Sequence, residues 1–179
     1  MALTATVYTF DVELADVDRN VYESLALKVA RHPSETAEYL ITRVLAYCLE
    51  YAEGIGFSRG LAEPDEPAIA IRDLTGALRA WIDVGVPDAA RLHKASKAAP
   101  RVVVYTHKDS RLLLGALTGA RIHRADSLEL HAIDRDLLAA LSERLDRRVR
   151  LAIAVTDRHL FVTIGYETIE GQVERLAPA

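Results

Sequence analysis

The first part of the chain alternates between hydrophobic and polar residues. Between residues 3 and 14, positions 8, 10, 12 and 14 are apolar, whereas Thr9, Asp11 and Glu13 are polar or charged. Because successive side chains of a strand point to opposite faces, this alternation predicts a strand with one buried face. A weaker run of the same kind at residues 22–29 is a candidate for a second strand.

The pattern then changes to a helical period. His32-Pro33-Ser34 supplies a breaker and a capping residue, and Glu35 and Glu38 follow where the helix dipole favours anions. Apolar residues at positions 41, 44, 45, 48 and 49 repeat at the spacing of a helix with one buried face. We expect Gly54 and Gly56 to end this helix.

Beyond a loop at residues 60–67, short apolar runs alternate with helical patterns. Pro87 is suited to the first position of a helix, and Val102-Val103-Val104-Tyr105 is typical of a buried strand. Two runs that flank Asp157-Arg158 should form a hairpin. The predicted elements are strands 68–72 and 78–84, helix 87–98, strand 101–106, helix 109–118, strand 128–133, helix 134–147, strands 149–155 and 160–165, and a strand near 169–176.

The order of these elements predicts the fold class. Helix, hairpin, helix and buried strand follow one another between residues 35 and 106, which indicates an α+β fold with a mixed β-sheet flanked by helices. The chain has 179 residues, half of them hydrophobic, and shows no internal repeat or linker. We therefore expect a single domain that spans residues 1–179.

Cysteine content and hydrophobic runs indicate the cellular compartment of the protein. A single cysteine, Cys48, excludes an intramolecular disulfide. The N-terminus has neither the basic region nor the long apolar region of a signal peptide, and no run reaches the ~18 apolar residues of a membrane span. These features predict a cytoplasmic protein with no membrane contact.

Charge is distributed unevenly along the chain. Residues 1–90 contain 15 acidic and 7 basic residues, whereas residues 91–124 contain 8 Lys or Arg residues and a single acid, Asp109. The net charge of −4 argues against a globally basic nucleic-acid binder. If the two regions meet in space, an acidic pocket that suits a metal lies beside a surface that suits phosphate.

Two kinds of functional motif, a serine-hydrolase nucleophile elbow and a zinc site, are not supported by the residues around them. Gly56-Phe57-Ser58-Arg59-Gly60 matches the nucleophile elbow of serine hydrolases, but that motif needs a strand before the serine and a helix after it. Since we expect a helix before it and a loop after it, we interpret it as a glycine-rich turn. The six histidines lack the spacing of a zinc site, so we expect no structural zinc.

A group of carboxylates points to a metal. Glu38 continues the apolar stripe of the predicted helix, and Asp83 lies late in a strand that should be central. If the hairpin turns between Leu74 and Thr75, position 83 lies across from about position 66, close to Asp65 or Glu66. Clustered carboxylates repel one another unless a cation is bound, and oxygen ligands suit Mg²⁺ or Mn²⁺. Lys94, on the following helix, can reach the same end of the sheet.

Several short stretches, taken together, resemble the YaeQ family, and the likeness covers essentially the whole chain. The stretches that carry it are Met1-Ala2-Leu3, Ala30-Arg31-His32-Pro33-Ser34-Glu35-Thr36, Gly60-Leu61, Asp65-Glu66-Pro67, Asp73-Leu74-Thr75-Gly76, Trp81-Ile82-Asp83-Val84-Gly85, Pro87-Asp88, Lys94-Ala95 and Val104-Tyr105-Thr106.

The resemblance implies a variant of the PD-(D/E)XK restriction-endonuclease-like core, built from helix, strands, helix and strand. In that superfamily a helix glutamate and two strand acids hold magnesium, and a lysine assists attack on a phosphodiester. Glu38 matches the helix acid and Asp83 the second strand acid. The first strand acid is either Asp65, which follows Pro64, or its neighbour Glu66.

The chain also departs from the superfamily pattern. Gly85 stands where the D/E-x-K lysine would fall, and Ala68 stands where several relatives look acidic. Lys94 on the following helix is the candidate to replace the missing lysine.

The resemblance implies, as the leading hypothesis, a metal-dependent nuclease-like protein that hydrolyses phosphodiester bonds of DNA or RNA. Glu38, Asp65 and Asp83 would hold Mg²⁺ or Mn²⁺, and Glu66 would be a further ligand. Lys94 would act with Asp83 as a catalytic residue by orienting the attacking water.

Around that centre, Lys97 and Arg101 would contact nucleic-acid phosphates. The alternative is a non-catalytic nuclease-fold protein that binds nucleic acid or serves as a regulatory interaction protein, which the acidic net charge and Gly85 favour. We expect no small organic cofactor under either hypothesis.

Overall fold

The computed structural model of the protein describes residues 4–58 and 65–177. No α-helix among these residues is long and apolar enough to cross a membrane. The elements are β1 (Thr6–Asp16), β2 (Val21–Arg31), α1 (Ala37–Leu49), β3 (Ile55–Phe57), β4 (Ile69–Arg72), β5 (Leu78–Val84), α2 (Ala89–Ala98), β6 (Arg101–Thr106), α3 (Ser110–Leu117), a 3₁₀ turn (Ala125–Ser127), β7 (Glu129–Ile133), α4 (Arg135–Glu143), β8 (Arg148–Thr156), β9 (His159–Ile164) and β10 (Glu167–Leu176).

The strands form one mixed sheet in the order β2-β1-β8-β9-β10-β7-β6-β5-β4-β3. Three neighbouring pairs run parallel, namely β1 with β8, β5 with β6, and β6 with β7, and the other pairs run antiparallel. The sheet is large and nearly closed. The prediction of an α+β fold with a mixed sheet and flanking helices is therefore confirmed.

Helices cover the two faces of the sheet around β5 and β6. α1 packs on one face, together with α4, and α2 packs on the other. Because side chains alternate along β5, Ala80 and Ile82 join the core beneath α1, whereas Trp81 joins the core beneath α2. Asp83 has the same parity as Trp81, so its carboxylate faces α2.

The end of α1 differs from the prediction. The helix ends at Leu49 with Glu50 as its C-cap, and the backbone N–H of Glu50 donates to the carbonyl of Ala46. Gly54 lies in the turn that follows, at a φ of +89°, and Gly56 lies in β3, a strand that the pattern did not predict. A side chain at position 54 would overlap the carbonyl oxygen of Arg72, so the absence of a Cβ lets the two segments approach.

The surroundings of Ser58 also differ. β3 directly precedes this residue, so the expectation of a helix before it was wrong. The N–H of Ser58 donates to the carbonyl of Ala68 and continues the antiparallel pairing of β3. Arg59 and Gly60, which complete the motif, lie outside the described residues.

Candidate functional site

A cavity of about 450 Å³ opens at the carboxyl ends of the parallel strands β5 and β6. The start of α1, the end of β5, the start of α2 and the residues that follow β6 form its wall. In sheets with parallel strands and helices, ligands bind preferentially at this edge, and pockets of this size suit a small molecule or a single nucleotide. We therefore treat this cavity as the candidate functional site.

Asp83 and Arg91 form a bidentate ion pair in the wall of the cavity. Only 2% of the surface of Asp83 is exposed. Arg91 donates from Nε to Oδ2 at 2.7 Å and from a terminal nitrogen to Oδ1 at 3.0 Å, and the N–H of Ala68 adds a contact to Oδ1 at 3.3 Å. A buried carboxylate needs such partners because its charge is otherwise uncompensated. The hydrogen bond to Asp83 in turn raises the pKa of Arg91.

The local sequence directs Arg91 towards the cavity. α2 begins after Pro87 with Asp88 as its N-cap, and the Asp88 carboxylate accepts the backbone N–H of Arg91 at 2.8 Å. The side chain then lies over the ring of Trp81, 5.3 Å from its centroid, and donates to the carbonyl of Glu66 at 2.8 Å. Sequence reasoning missed Arg91 because it counted this residue only as part of the basic stretch.

A second ion pair lies deeper in the cavity wall. Arg43 on α1 donates to Glu35 Oε2 at 2.8 Å and to the carbonyl of Ala30 at 2.8 Å, and both charged side chains are almost fully buried. Within the described residues, Glu35 Oε1 and Arg43 Nε have no hydrogen-bond partner. This pair is therefore incompletely satisfied, which is costly in a protein interior.

Tyr39 and His107 complete the wall between the two ion pairs. Their rings meet edge to face with centroids 5.7 Å apart, and the guanidinium of Arg43 lies 5.8 Å from the centroid of Tyr39. Burial raises the pKa of Tyr39 to about 12, and burial together with Lys108 lowers the pKa of His107. Both side chains are therefore uncharged at neutral pH.

The structure brings two of the four predicted metal ligands to the cavity. Glu66 and Asp83 line it, whereas Glu38 lies half-buried on α1 outside the lining. Asp65 is exposed and forms an ion pair with Lys94. The described part of the chain contains no group of three or more His, Cys, Asp or Glu residues arranged to hold a metal.

The β4–β5 register explains part of this outcome. Ile69 pairs with Ile82, so the next step along the strands sets Ala68, and not residue 66, beside Asp83. The register that follows from a turn between Leu74 and Thr75 is therefore wrong, because the turn is centred on Thr75. Asp73 donates its N–H to the carbonyl of Ala77 at 3.0 Å, and a register shift at residues 71 and 72 adds to the offset.

The residues of the site do not fit the magnesium arrangement that the resemblance implies. Both oxygens of Asp83 are engaged by the guanidinium of Arg91. The helix glutamate of that arrangement, Glu38, lies outside the cavity lining, and Asp65 is engaged by Lys94.

Most basic side chains of residues 91–124 form ion pairs or hydrogen bonds within the protein. Arg101 binds Glu50 at 2.7 Å and Glu129 at 2.7 Å, at the amino end of β6 and thus away from the cavity. Arg111 pairs with Asp109, and Lys97 is exposed on α2. Within the described residues, Lys97, Lys108 and Arg121 are the basic side chains of residues 91–124 that are exposed and form no salt bridge or side-chain hydrogen bond.

Comparisons with known proteins cover nearly the whole chain. The family model described as "YaeQ protein" matches residues 1–173. The chain is 33% identical to the "Uncharacterized protein YaeQ" of Salmonella typhi, over 97% of this chain and 96% of that protein, and 33% identical to its Escherichia coli K12 counterpart, over 95% and 94%.

Solved structures agree with these matches. The crystal structure of YaeQ protein from Pseudomonas syringae superposes with a TM-score of 0.87 at 33% identity and covers 97% of this chain and 96% of that one. The YaeQ protein from Xanthomonas axonopodis pv. citri gives a TM-score of 0.85 at 29% identity, with 96% and 98% covered. On the combined strength of sequence and fold, the chain belongs to the YaeQ family.

Proposed function

We propose that this chain is a nuclease-like protein that binds the phosphate-bearing part of a nucleic acid in the cavity at the ends of β5 and β6, without hydrolysing it. The observation that carries the proposal is the bidentate ion pair between Arg91 and the buried Asp83. A carboxylate held in this way is not available as a metal ligand. The fold and a charged cavity are thus retained while the metal-dependent step is lost.

The proposal includes the superfamily relationship. α1, the β4–β5 hairpin, α2 and β6 follow one another in the order that the resemblance assigns to a PD-(D/E)XK core. α1 and α2 lie on opposite faces of these strands. This arrangement supports a variant nuclease-like core within the larger, nearly closed sheet.

Phosphate is the ligand chemistry that the cavity favours. Thr36 at the start of α1 and Pro87 at the start of α2 both line it, and helix N-termini attract anions. Lys108 lines the same cavity, is exposed and has no salt bridge within the described residues. The charges of Arg43 and Arg91 are balanced by their acidic partners, so Lys108 supplies the available cation.

Metal-dependent hydrolysis of DNA or RNA is the competing function. Glu66 and Asp83 line one cavity, so two carboxylates are available there if Arg91 withdraws. On that hypothesis Asp83 would be essential for cleavage and Lys94 would have to leave Asp65. The two functions differ in their dependence on divalent metal.

A combined binding and cleavage experiment tests the proposal. Labelled single-stranded and duplex DNA and RNA would be titrated with wild type, Lys108→Ala and Asp83→Asn, with Mg²⁺ or with chelator. We expect binding without cleavage, unchanged by chelator and weakened by salt. Lys108→Ala should weaken binding by about tenfold, the effect of one charge-assisted contact.

Lys28→Ala is the matched control, because Lys28 is an exposed lysine on the edge strand β2 and does not line the cavity. It should bind like wild type. Magnesium-dependent cleavage by wild type that Asp83→Asn abolishes would favour the competing function. The proposal would be refuted if the protein bound none of the four nucleic acids.

A further inference from the structure

A second cavity lies at the other end of α1 from the candidate functional site. Its volume is about 220 Å³, and Leu49 and Glu50 at the end of α1 line it, whereas Thr36 and Tyr39 at the start of α1 line the first cavity. Since α1 has 13 residues, the helix is about 20 Å long. Among the described residues, none lines both cavities.

We propose that this second cavity is the binding site of a small oxyanion, the carboxylate or phosphate group of a small molecule, which Arg158, Arg175 and His131 hold. All three side chains line the cavity. The inference goes beyond the proposed function and does not depend on it, because no residue of the first cavity takes part.

The sheet and one turn bring the three side chains together. Arg175 on β10 pairs with His131 on β7, so these two side chains lie next to each other on the same face of the sheet. Arg158 lies in the turn between β8 and β9, and a terminal nitrogen of its guanidinium is 2.8 Å from His131 Nδ1. The two arginines thus approach the imidazole from different elements.

The carboxylates of the second cavity already have hydrogen-bond donors. Within the described residues, each of their eight oxygens accepts a hydrogen bond, and Arg101 alone donates to three of them. These carboxylates belong to Asp16, Asp18, Glu50 and Glu129. The cavity therefore has little acceptor capacity to offer to a ligand that donates hydrogen bonds.

Donors, in contrast, are in excess. Arg175 forms no hydrogen bond or salt bridge within the described residues. Arg158 donates from Nε to the carbonyl of Val173 at 3.1 Å and from one terminal nitrogen to His131, which leaves its other terminal nitrogen without a partner among the described residues. A ligand that accepts hydrogen bonds would satisfy these nitrogens.

His131 supplies a further donor. A guanidinium can only donate, so Nδ1 accepts from Arg158 and the ring proton of the neutral imidazole lies on Nε2. His131 is 4% exposed, and Nε2 has no hydrogen-bond partner in the described part of the chain. An N–H group of this kind in a largely buried side chain favours an acceptor from the ligand.

Electrostatics also favour an anion between the two arginines. Neither Arg158 nor Arg175 has a carboxylate within salt-bridge distance in the described residues. Asp18 and Glu129 line the same cavity and oppose an anion, but backbone N–H groups hold Asp18 and Arg101 holds Glu129. The planar guanidinium binds carboxylate and phosphate through paired hydrogen bonds, which are about twice as strong as bonds between neutral groups.

The size of the cavity limits the ligand. Cavities of about 300–1,000 Å³ accommodate drug-sized molecules, and this cavity is smaller, at about 220 Å³. Inorganic phosphate and short carboxylates such as succinate fit this volume. They are therefore the probes for the site.

Nuclear magnetic resonance of the histidine rings tests the inference. Phosphate and succinate would be titrated separately into the protein at neutral pH and constant ionic strength, without nucleic acid. We expect a saturable shift of the His131 ring signals, which are identified by their loss in His131→Gln. The ring of His107 lines the first cavity and reports separately on any phosphate bound there.

Arg175→Gln is the main variant because Arg175 is exposed and its loss should leave the fold intact. The anion concentration that half-saturates the His131 shift should rise at least about tenfold, the effect of one lost charge-assisted contact. Arg158→Gln should act in the same direction. Circular dichroism would verify the fold of each variant.

Arg150→Gln is the matched control. Arg150 is an exposed arginine on β8 that lines neither cavity, and its substitution removes the same charge. Half-saturation should stay at the wild-type concentration. Tighter binding of phosphate than of succinate would identify a phosphate-bearing ligand, and the reverse order would identify a carboxylate.

Three results would overturn the inference. The first is a His131 ring that responds to neither anion, and the second is a folded Arg175→Gln variant that binds as tightly as wild type. The third is an equal loss in Arg150→Gln, since the effect would then follow from net charge alone. None of these results involves nucleic acid or Lys108, so failure here is distinguishable from failure of the proposed function.

Discussion

The role inferred for Asp83 changes once its neighbours in the folded protein are known. Its position late in a central strand indicated a functional acid, and the structure places it, buried, in the lining of the cavity. Its partner Arg91 lies eight residues away and was not predicted. No local pattern marks this pair, because the two residues meet only when α2 folds back over β5.

His131 is a second buried polar residue whose environment has a measurable consequence. Its ring stacks on Tyr105 with centroids 4.7 Å apart, and Nδ1 lies 2.8 Å from a terminal nitrogen of Arg158. Burial, then Arg158 and Arg175, lower its pKa from 6.5 to about 4, although Glu129 acts in the opposite direction. The folded protein therefore holds this imidazole neutral at pH values where the unfolded chain protonates it.

Stability should consequently fall in acid. The contribution of His131 is fully present above pH 6.5 and is lost as pH falls from 6.5 to about 4, because only the unfolded state gains a proton in that interval. The loss should be about 3 kcal/mol in the free energy of unfolding. Urea unfolding across this pH range would measure it.

His131→Gln is the control for this prediction. Glutamine keeps an acceptor for Arg158 but does not titrate, so the difference in unfolding free energy between wild type and variant should shrink as pH falls. A constant difference from pH 7 to pH 4 would contradict the assignment of this pH dependence to His131.

At the scale of elements, local pattern predicted most helices and strands. The alternation in β1 and the helical stripe of α1 each correspond to a real buried face. Two features escaped prediction, namely the short strand β3 and the pairing register of β4 with β5. Both depend on backbone contacts between segments, which the periodicity of side chains does not encode.

Gly54 provides a test of the β3–β4 contact. Gly54→Ala should destabilise the protein by at least about 2 kcal/mol, because a positive φ is combined with overlap between the new Cβ and the Arg72 carbonyl. Gly76→Ala is the control, since Gly76 has a φ of +84° but a Cβ added there would meet no atom within 4 Å. It should cost about 1 kcal/mol.

Chemical denaturation would compare the two glycine variants. Equal losses would mean that backbone conformation alone accounts for the effect and that the approach of Arg72 to Gly54 is unimportant. A larger loss in Gly54→Ala would establish the backbone contact as a determinant of the β3–β4 pairing.

At the scale of the whole molecule, the sheet joins distant parts of the chain. β8 pairs in parallel with β1, so residues 148–155 lie beside residues 9–16. β10 lies between β9 and β7, and it thereby connects the β8–β9 hairpin to the strands β5 and β6, at whose ends the cavity lies. This connectivity favours unfolding as one cooperative unit.

Trp81 allows cooperativity to be measured. It is the single tryptophan and lies in the core beneath α2, whereas α1 and α4 cover the other face. Tryptophan fluorescence and far-UV circular dichroism should therefore give coincident urea transitions, as expected of one domain. A fluorescence transition at lower urea than the dichroism transition would instead identify the α2 region as a separate unit.

Local sequence patterns were sufficient to predict most of the elements and the faces that they bury. Period-two alternation and helical spacing are local properties, and the hydrophobic effect converts them directly into buried faces. The same local information predicted an α+β fold and drew attention to Asp83 and Glu66.

The order of the strands and the partner of each acid depend on contacts between elements that are distant in the sequence. The β4–β5 register moved residue 68 beside Asp83, α2 delivered Arg91 to its carboxylate, and Glu38 was left outside the cavity lining. Charged side chains pair with whichever opposite charge the packed chain brings within reach, and that distance is set by contacts between elements. For this reason the sequence indicated an acidic site, whereas the fold determined which cation occupies it.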